Sequence, residues 1–157
     1  MKNVKSKSAF TMIELVFVIV IIGILAAVAV PRLAATRDDA EITKAKVTVA
    51  SIRNALSMER QKRILRGEFG AITALTNDSN VFGTFKAKNK SNVEVDTGHN
   101  VLEYSMSSSS DKGKWEYVAA NKQYVYHGMS DVAFQVNASG KFVCIDESAD
   151  NCKQLTN

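Results

Sequence analysis

The stretch FTMIELVFVIVIIGILAAVAVP, residues 10–31, decides the fold of this chain. Apart from Thr11 and Glu14 it is apolar, and no charged or strongly polar side chain interrupts it from Leu15 to Val30. A helix needs about 20 apolar residues to cross a bilayer. Because a chain of 157 residues has little else to surround so apolar a helix, we predict a membrane-spanning segment here.

The segment before it, residues 1–9, is short, polar and basic. It contains Lys2, Lys5 and Lys7, whereas the whole chain has 20 Lys and Arg against 16 Asp and Glu. Without these three lysines the chain is nearly neutral. The charge balance therefore does not demand a nucleic-acid surface.

The segment after it, residues 32–66, predicts an amphipathic helix that continues the apolar one. Its apolar side chains are spaced by four, three and four residues: Ala45, Val49, Ile52 and Leu56. This spacing places them on one helical face. Gly67 follows the last basic residues and ends the helix. Pro31, the only proline, is expected to bend the helix where the two segments meet.

Residues 67–157 change in composition to Gly, Asn, Ser and strand-forming residues. The alternation predicts five strands, at 101–106, 115–118, 124–126, 132–136 and 142–145. Residues 137–140 form a hairpin turn between the last two, whereas residues 67–92 have no clear pattern. One long helix followed by strands predicts an α+β fold, with a small antiparallel sheet packed on the helix.

Cys144 and Cys152 are the only cysteines, and seven residues separate them. A close pair near the C-terminus indicates one small disulfide loop in an oxidising compartment, with two reduced thiols as the alternative. His99 and His127 are far from both cysteines and no CxxC occurs, so a zinc site is not expected. We interpret both histidines as structural.

Three forms of N-terminal processing remain open. An ordinary signal peptide would be cut after the small residues 27–29, an uncleaved anchor would keep residues 1–9, and a third form would be cut between Ala9 and Phe10. Glu14 favours the third. A carboxylate costs about 2.5–3.5 kcal/mol inside an apolar helix and needs a partner. A new amine on Phe10 would lie about one helical turn from Glu14 and could neutralise it.

At this point the run from Ala9 to Pro31 resembles the class III signal sequence of type IV pilins and type II secretion pseudopilins. In that family a prepilin peptidase cuts before the aromatic residue and methylates the new amine, which implies both reactions at Phe10. Glu14 matches the family's glutamate, fifth after the cut, and Gly23 and Pro31 match its helix-weakening positions. Ala9 stands where the family usually has Gly.

The resemblance implies a structural subunit and not an enzyme. Cleavage would divide the chain into a leader (1–9), an assembly helix (10–31), an amphipathic helix (32–66) and a globular region (67–157) that ends in a disulfide loop like that of many pilins. The expected partners are other copies, other pilin-like subunits, the prepilin peptidase, an inner-membrane platform protein and an assembly ATPase. The expected location is the bacterial inner membrane, with the C-terminal domain in the periplasm, and then the filament.

The use of such a filament stays open between protein secretion, DNA uptake and surface attachment, since all three machines share residues 10–31. A different class of function, an exported soluble binding or enzymatic domain carried by a signal peptide or an uncleaved anchor, is the alternative. DNA binding has no support in the sequence, because we interpret Lys86, Lys88 and Lys90 as the solvated edge of a strand or loop and not as a DNA-contact surface.

The sequence has no motif for nucleotide, zinc-protease or serine-hydrolase chemistry, and we expect no cofactor. Asp146, Glu147 and Asp150 cluster within the cysteine loop. Their spacing differs from that of an EF-hand, so we interpret them as a solvated acidic loop, with calcium binding as the weak alternative.

Overall fold

The computed structural model describes residues 10–76 and 80–156. The leader, with Ala9 and the three lysines, lies outside the described residues. The chain divides into two compact units, one up to Arg37 and one from Asp38 onward. Helix α1, Met12–Leu65, contributes to both.

Helix α1 confirms the two predicted helical segments as one element of 54 residues. It ends in a Schellman motif, in which Glu68 N–H donates to the carbonyl of Arg63 and Gly67 N–H to that of Ile64, both at 2.9 Å. Gly67 has a φ of 72°, a conformation that glycine adopts without a steric cost. Gly67 therefore ends α1 at the predicted place.

The predicted apolar stripe of α1 faces the core of the second unit. Ala45, Val49, Ile52 and Leu56 are each at most 3% exposed. These positions pack in one cluster with buried side chains from the strands. The helix is thus held by burial of apolar surface, which contributes about 25 cal/mol per Å² removed from water.

The first sheet lies in the part of the sequence that had no clear pattern. Its strands are antiparallel, in the order β1-β2-β3 with β4 also paired to β2: β1 Ile72–Thr76, β2 Asn80–Lys88, β3 Glu94–Asn100 and β4 Met106–Ser107. The predicted strand at 101–106 is wrong. Val101 is buried and donates its N–H to the carbonyl of Gly83, but residues 101–104 form bends and only Met106 begins a strand.

The second sheet confirms the other four predicted strands. It is antiparallel in sequence order: β5 Lys114–Val118, β6 Gln123–His127, β7 Asp131–Val136 and β8 Phe142–Cys144. The turn between β7 and β8 is closed by Gly140 N–H, which donates to the carbonyl of Asn137 at 2.8 Å. A short helix that the sequence did not indicate, α2, Asp150–Thr156, follows β8. The fold is α+β as predicted, with two sheets instead of one.

An aromatic cluster joins the two sheets. The ring of Phe82, in β2, lies 5.2 Å from that of Trp115, 5.3 Å from that of Tyr124 and 5.9 Å from that of Phe142. Phe82 is fully buried although its φ is 57°, a conformation that is unfavourable for a bulky residue. Burying a phenylalanine side chain contributes about 1.5–3 kcal/mol, which offsets the local strain.

Two polar contacts join further elements, one between the two sheets and one between α1 and the first sheet. Leu75 N–H, in β1, donates to Tyr124 Oη, in β6, at 2.6 Å. Burial raises the pKa of the Tyr124 hydroxyl, so the group stays neutral. On α1, the buried carboxylate of Glu59 accepts a hydrogen bond from His99 Nδ1, in β3, at 2.9 Å. Each contact joins two different elements of the fold.

His127 bridges two carboxylates at the end of β6. Its Nε2 lies 2.9 Å from Glu116 Oε2 and its Nδ1 lies 3.0 Å from Asp131 Oδ1. Both oxygens are acceptors, so both ring nitrogens can bond only when each carries a proton. Burial opposes the charged form, but the bonds to Glu116 and Asp131 outweigh it and raise the pKa of His127 above 6.5.

This bridge predicts a pH-dependent stability. A raised pKa in the folded state means that the stabilisation is fully present below pH 6.5 and is lost as the pH rises through the raised value. We expect the free energy of unfolding to fall across this window. Urea unfolding of the detergent-solubilised chain, followed by fluorescence of Trp115, the only tryptophan, measures it. In His127→Gln that fall should disappear, and an unchanged pH profile in this variant would contradict the assignment.

Candidate functional site

The first turns of α1 expose apolar side chains along their length. Phe10, Met12 and Ile13 are 74–84% exposed, and the exposed apolar side chains continue to Leu33. Among the described residues, α1 is the one helix long and apolar enough to cross a membrane. Its apolar part is not covered by other described residues of the chain. Another phase, lipid or protein, must cover this surface in a stable state.

Glu14 has local partners in this apolar segment. Its Oε2 accepts two hydrogen bonds from Thr11, one from the backbone N–H at 2.9 Å and one from the hydroxyl at 2.7 Å. In return, Glu14 N–H donates to Thr11 Oγ1 at 3.4 Å. This is a capping box, with Thr11 as the N-cap and Glu14 at the third helical position.

The capping box gives Glu14 a structural role that we did not predict. The signal was present in the sequence, because Thr11 and Glu14 have the T-x-x-E spacing of the motif. Both hydrogen bonds end on Oε2, so neither uses Oε1. The carboxylate therefore caps the helix with one oxygen and keeps acceptor capacity on the other.

The remaining predicted N-terminal positions lie as follows. Phe10, at the predicted cut, directly precedes the N-cap and is 80% exposed. Gly23 and Pro31 both lie inside α1, and a Cβ atom added at Gly23 would meet no other atom within 4 Å. Gly23 is thus not required by packing within one copy of the chain.

The predicted disulfide is present. Cys144, at the end of β8, and Cys152, in α2, are joined with their Cα atoms 6.3 Å apart. Both residues are at most 5% exposed. The bond fixes α2 beside the end of the second sheet, where Leu155 adds a buried apolar contact.

The acidic residues of the cysteine loop have local partners. Asp146 Oδ1 accepts hydrogen bonds from the hydroxyl and N–H of Ser148, and these bonds lower the pKa of Asp146. Asp150 forms an ion pair with Lys153 at 3.3 Å, while Glu147 is exposed. Within residues 10–76 and 80–156, no group of three carboxylate, cysteine or histidine side chains could hold a metal ion. Calcium binding here stays a prediction without a site to support it.

The N-terminal segment is also the part of the chain that is similar to known proteins. Residues 4–30 match the prokaryotic N-terminal methylation motif. The N-terminal segment is similar to that of type IV pilins and type II secretion pseudopilins. The pilin-like chain is 44% identical over 54 residues to the type II secretion system core protein G of Pseudomonas aeruginosa, a match that covers 34% of this chain and 38% of that protein.

Two further relatives show the same pattern. Core protein G of Vibrio cholerae is 38% identical over 58 residues, which cover 37% of this chain and 40% of that protein. The type IV narrow pilus major component PilA5 of Thermus thermophilus is 49% identical over 49 residues, which cover 31% of this chain and 42% of that protein. The pilin-like chain therefore matches about two fifths of the length of these relatives. No solved structure gives a significant match.

The capping box generates a prediction for the first turn of α1. Thr11→Val removes the capping hydroxyl and should destabilise the helix start by about 1 kcal/mol. Thr11→Ser keeps the hydroxyl and should retain the cap. Hydrogen exchange of the Glu14 amide in detergent micelles measures the effect, and we expect Thr11→Val to accelerate it about fivefold. Equal protection in the valine and serine variants would show that the cap does not stabilise this turn.

Proposed function

We propose that the pilin-like chain is a structural, non-catalytic subunit of a type IV pilus-like filament or a type II secretion-type pseudopilus. Prepilin peptidase cuts it between Ala9 and Phe10 and methylates the new amine, and α1 then assembles it. The observation that carries the proposal is the uncovered apolar surface of residues 10–33, with a single carboxylate in its first turn. A soluble exported domain would have no use for such a surface.

The membrane holds the precursor before assembly. Lys2, Lys5 and Lys7 face the cytoplasm, in agreement with the positive-inside rule. The unit from Asp38 onward then lies in the periplasm. An oxidising periplasm suits the Cys144–Cys152 disulfide.

Assembly moves the apolar helices from lipid into a filament core. The partners are further copies and other pilin-like subunits, and a platform protein with an ATPase drives extraction from the membrane. Each fully covered Val, Leu or Ile side chain contributes about 1.5–3 kcal/mol relative to exposure to water. Many such side chains lie between Met12 and Leu33, so an extracted subunit remains in the filament only when neighbours cover it.

Glu14 guides this assembly. Removal of residues 1–9 places a positive amine on Phe10, directly before the capping box. The Glu14 Oε2 atom holds Thr11, while Oε1 is available to the amine of the same or a neighbouring subunit. Pairing of these charges reduces the cost of placing the carboxylate in an apolar core.

The names of the relatives support two uses, a secretion system and a pilus. Protein secretion and surface attachment are therefore the better supported uses, and DNA uptake is a third that the shared N-terminus allows. Parallel assays of exoprotein release, surface filaments and transformation in a deletion strain separate the three. Normal results in all three assays would contradict the assignment of the chain to a filament machine.

A pair of Glu14 variants tests the proposal. Glu14→Gln can still accept the bond from Thr11 N–H, whereas Glu14→Ala cannot, and both lack the charge. If the charge guides assembly, both variants should enter the membrane and form the disulfide, but filament yield should fall by at least about tenfold. Quantitative blotting of sheared filaments against total membrane protein measures the yield.

Normal yield from Glu14→Gln would limit Glu14 to capping the helix. A truncation from Arg32 onward that kept full cellular function would favour the exported soluble domain instead.

A further inference from the structure

We propose that the unit from Asp38 onward has a basic end and an acidic end, and that the basic end of one copy binds the acidic end of a second copy. The inference rests on the proposed filament function and names the contact between successive subunits. The basic end has six cationic side chains: Arg60, Lys62, Arg63, Arg66, Lys88 and Lys90. The acidic end has six carboxylates: Asp38, Asp39, Glu41, Asp146, Glu147 and Asp150.

Hydrogen bonds fix the acidic end around the start of this unit. Tyr126 Oη, in β6, donates to the carbonyl of Glu41 at 3.0 Å. Tyr126 pairs with Val132, beside Asp131 at the start of β7. Asn151, in α2, donates to the carbonyl of Asp131 at 3.2 Å. The carboxylates of the cysteine loop therefore gather at the same end as those of residues 38–41.

Hydrogen bonds fix the basic end around the last turns of α1. Arg60 Nη1 donates to the carbonyl of Ser139, in the turn that follows β7, at 2.7 Å. Arg63 Nη2 donates to the carbonyl of Lys88, at the end of β2, at 3.1 Å. Strand β7 thus begins at the acidic end and leads to the basic end. From Glu41 to Arg60 the helical rise gives roughly 30 Å between the ends.

At each end some charges are paired locally, as Asp38 is with Lys112 and Arg63 with Glu68, and others are not. In the part of the chain that the structure describes, no carboxylate pairs with Lys62, Arg66 or Lys90, and no cation pairs with Asp39 or Glu147. All five are exposed. Unpaired charges of opposite sign at opposite ends favour an association in which different surfaces meet.

Arg63 gives the basic end a specific recognition point. Its side chain is only 6% exposed, yet its Nε is a buried donor without a partner among the described residues. Arg63 lines two clefts, of about 200 and 680 Å³, that share Glu68, Phe69 and Gly70. Buried donors are almost always bonded, and a carboxylate is the acceptor that an arginine binds most strongly. The guanidinium pairs with Glu68 at 3.4 Å and donates to the carbonyls of Gly70 and Lys88, so it holds a fixed positive charge in the wall of both clefts that favours an incoming carboxylate.

A second copy is the occupant that fits this end. The chain itself carries the complementary carboxylates, and a filament places copies next to one another at high effective concentration. Contact between two different ends leaves one free end on each copy, so the same contact can be repeated along a filament. The exposed apolar Phe69 also lines the larger cleft and offers a surface for the side chains of another protein. Nucleic acid is therefore the alternative that the test must separate.

Charge reversal tests the contact in the native cell, with full-length chains. One variant combines Lys62→Glu with Arg66→Glu, a second combines Asp39→Lys with Glu147→Lys, and a third carries all four changes. We expect filament yield to fall by at least about tenfold in each double variant and to recover to within about threefold of wild type in the fourfold variant. Glu103→Lys, an exposed change between β3 and β4, is the control and should assemble normally.

The outcomes are distinct. If wild type forms no filament, the proposed function fails. If wild type assembles and the double variants do too, or the fourfold variant does not recover, only the contact between the ends is overturned. Free thiols of Cys144 and Cys152 in a variant would show that it is misfolded. In that case a photo-crosslinking residue placed at position 66 of the otherwise unchanged chain tests the contact instead. Crosslinks from that position to residues 38–41 or 146–150 of another copy support the contact. Crosslinks to DNA, or to other parts of the chain only, contradict it.

Discussion

The uncovered apolar surface that runs from Phe10, just before α1, to Leu33 is the constraint on which the other features depend. Water cannot solvate so many Val, Ile and Leu side chains without a large free-energy cost, so they must lie in lipid or against other proteins. A lipid bilayer and a bundle of identical helices are both suitable. A chain that moves from the bilayer into a helix bundle needs a polar group to fix its position in the bundle. Glu14 is the only ionisable side chain from residue 10 to residue 31.

The part of α1 from Asp38 onward has a different role, because it packs against the two sheets. Ile52 and its stripe fill the core, while Glu59 binds His99 of the first sheet. Arg53 Nε donates to the carbonyl of Phe142 in the second sheet at 3.2 Å. Buried charges are expensive unless they are hydrogen-bonded. In α1 the buried Glu59 and the half-buried Arg53 bond to partners in the strands and so fix which part of each sheet lies beside these turns.

Most of the fold could be predicted where a periodic pattern was strong. The spacing of Ala45 and Val49 predicted the buried face of α1, and strict alternation predicted β5–β8. Strand β3 could not be predicted, because the residues at 94–100 are mostly polar and none is fully buried. Strand β2 contains Gly83 and has a bulky residue, Phe82, at a positive φ, so tertiary packing decides its form.

The same limits apply to the candidate site. The apolar segment, Glu14 and the cysteine pair were evident from residue type and spacing. The role of Thr11 was not predicted, because the expected partner of Glu14 was the charged amine of Phe10 and not the neutral hydroxyl of Thr11. The position of the Arg63 guanidinium depends on hydrogen bonds to the carbonyls of Gly70 and Lys88, which lie 7 and 25 residues away in the sequence. Such contacts follow from the fold and not from periodicity.

The most direct test of the account is the intact mass and N-terminal sequence of the mature chain from native membranes. The account predicts a chain that begins at Phe10, carries one methyl group on its new amine and contains the Cys144–Cys152 disulfide. A chain that begins just after Ala29, or one that retains Met1–Ala9, would contradict it. In the first case the apolar helix would be lost, and in the second Glu14 would lack the amine with which it is expected to pair.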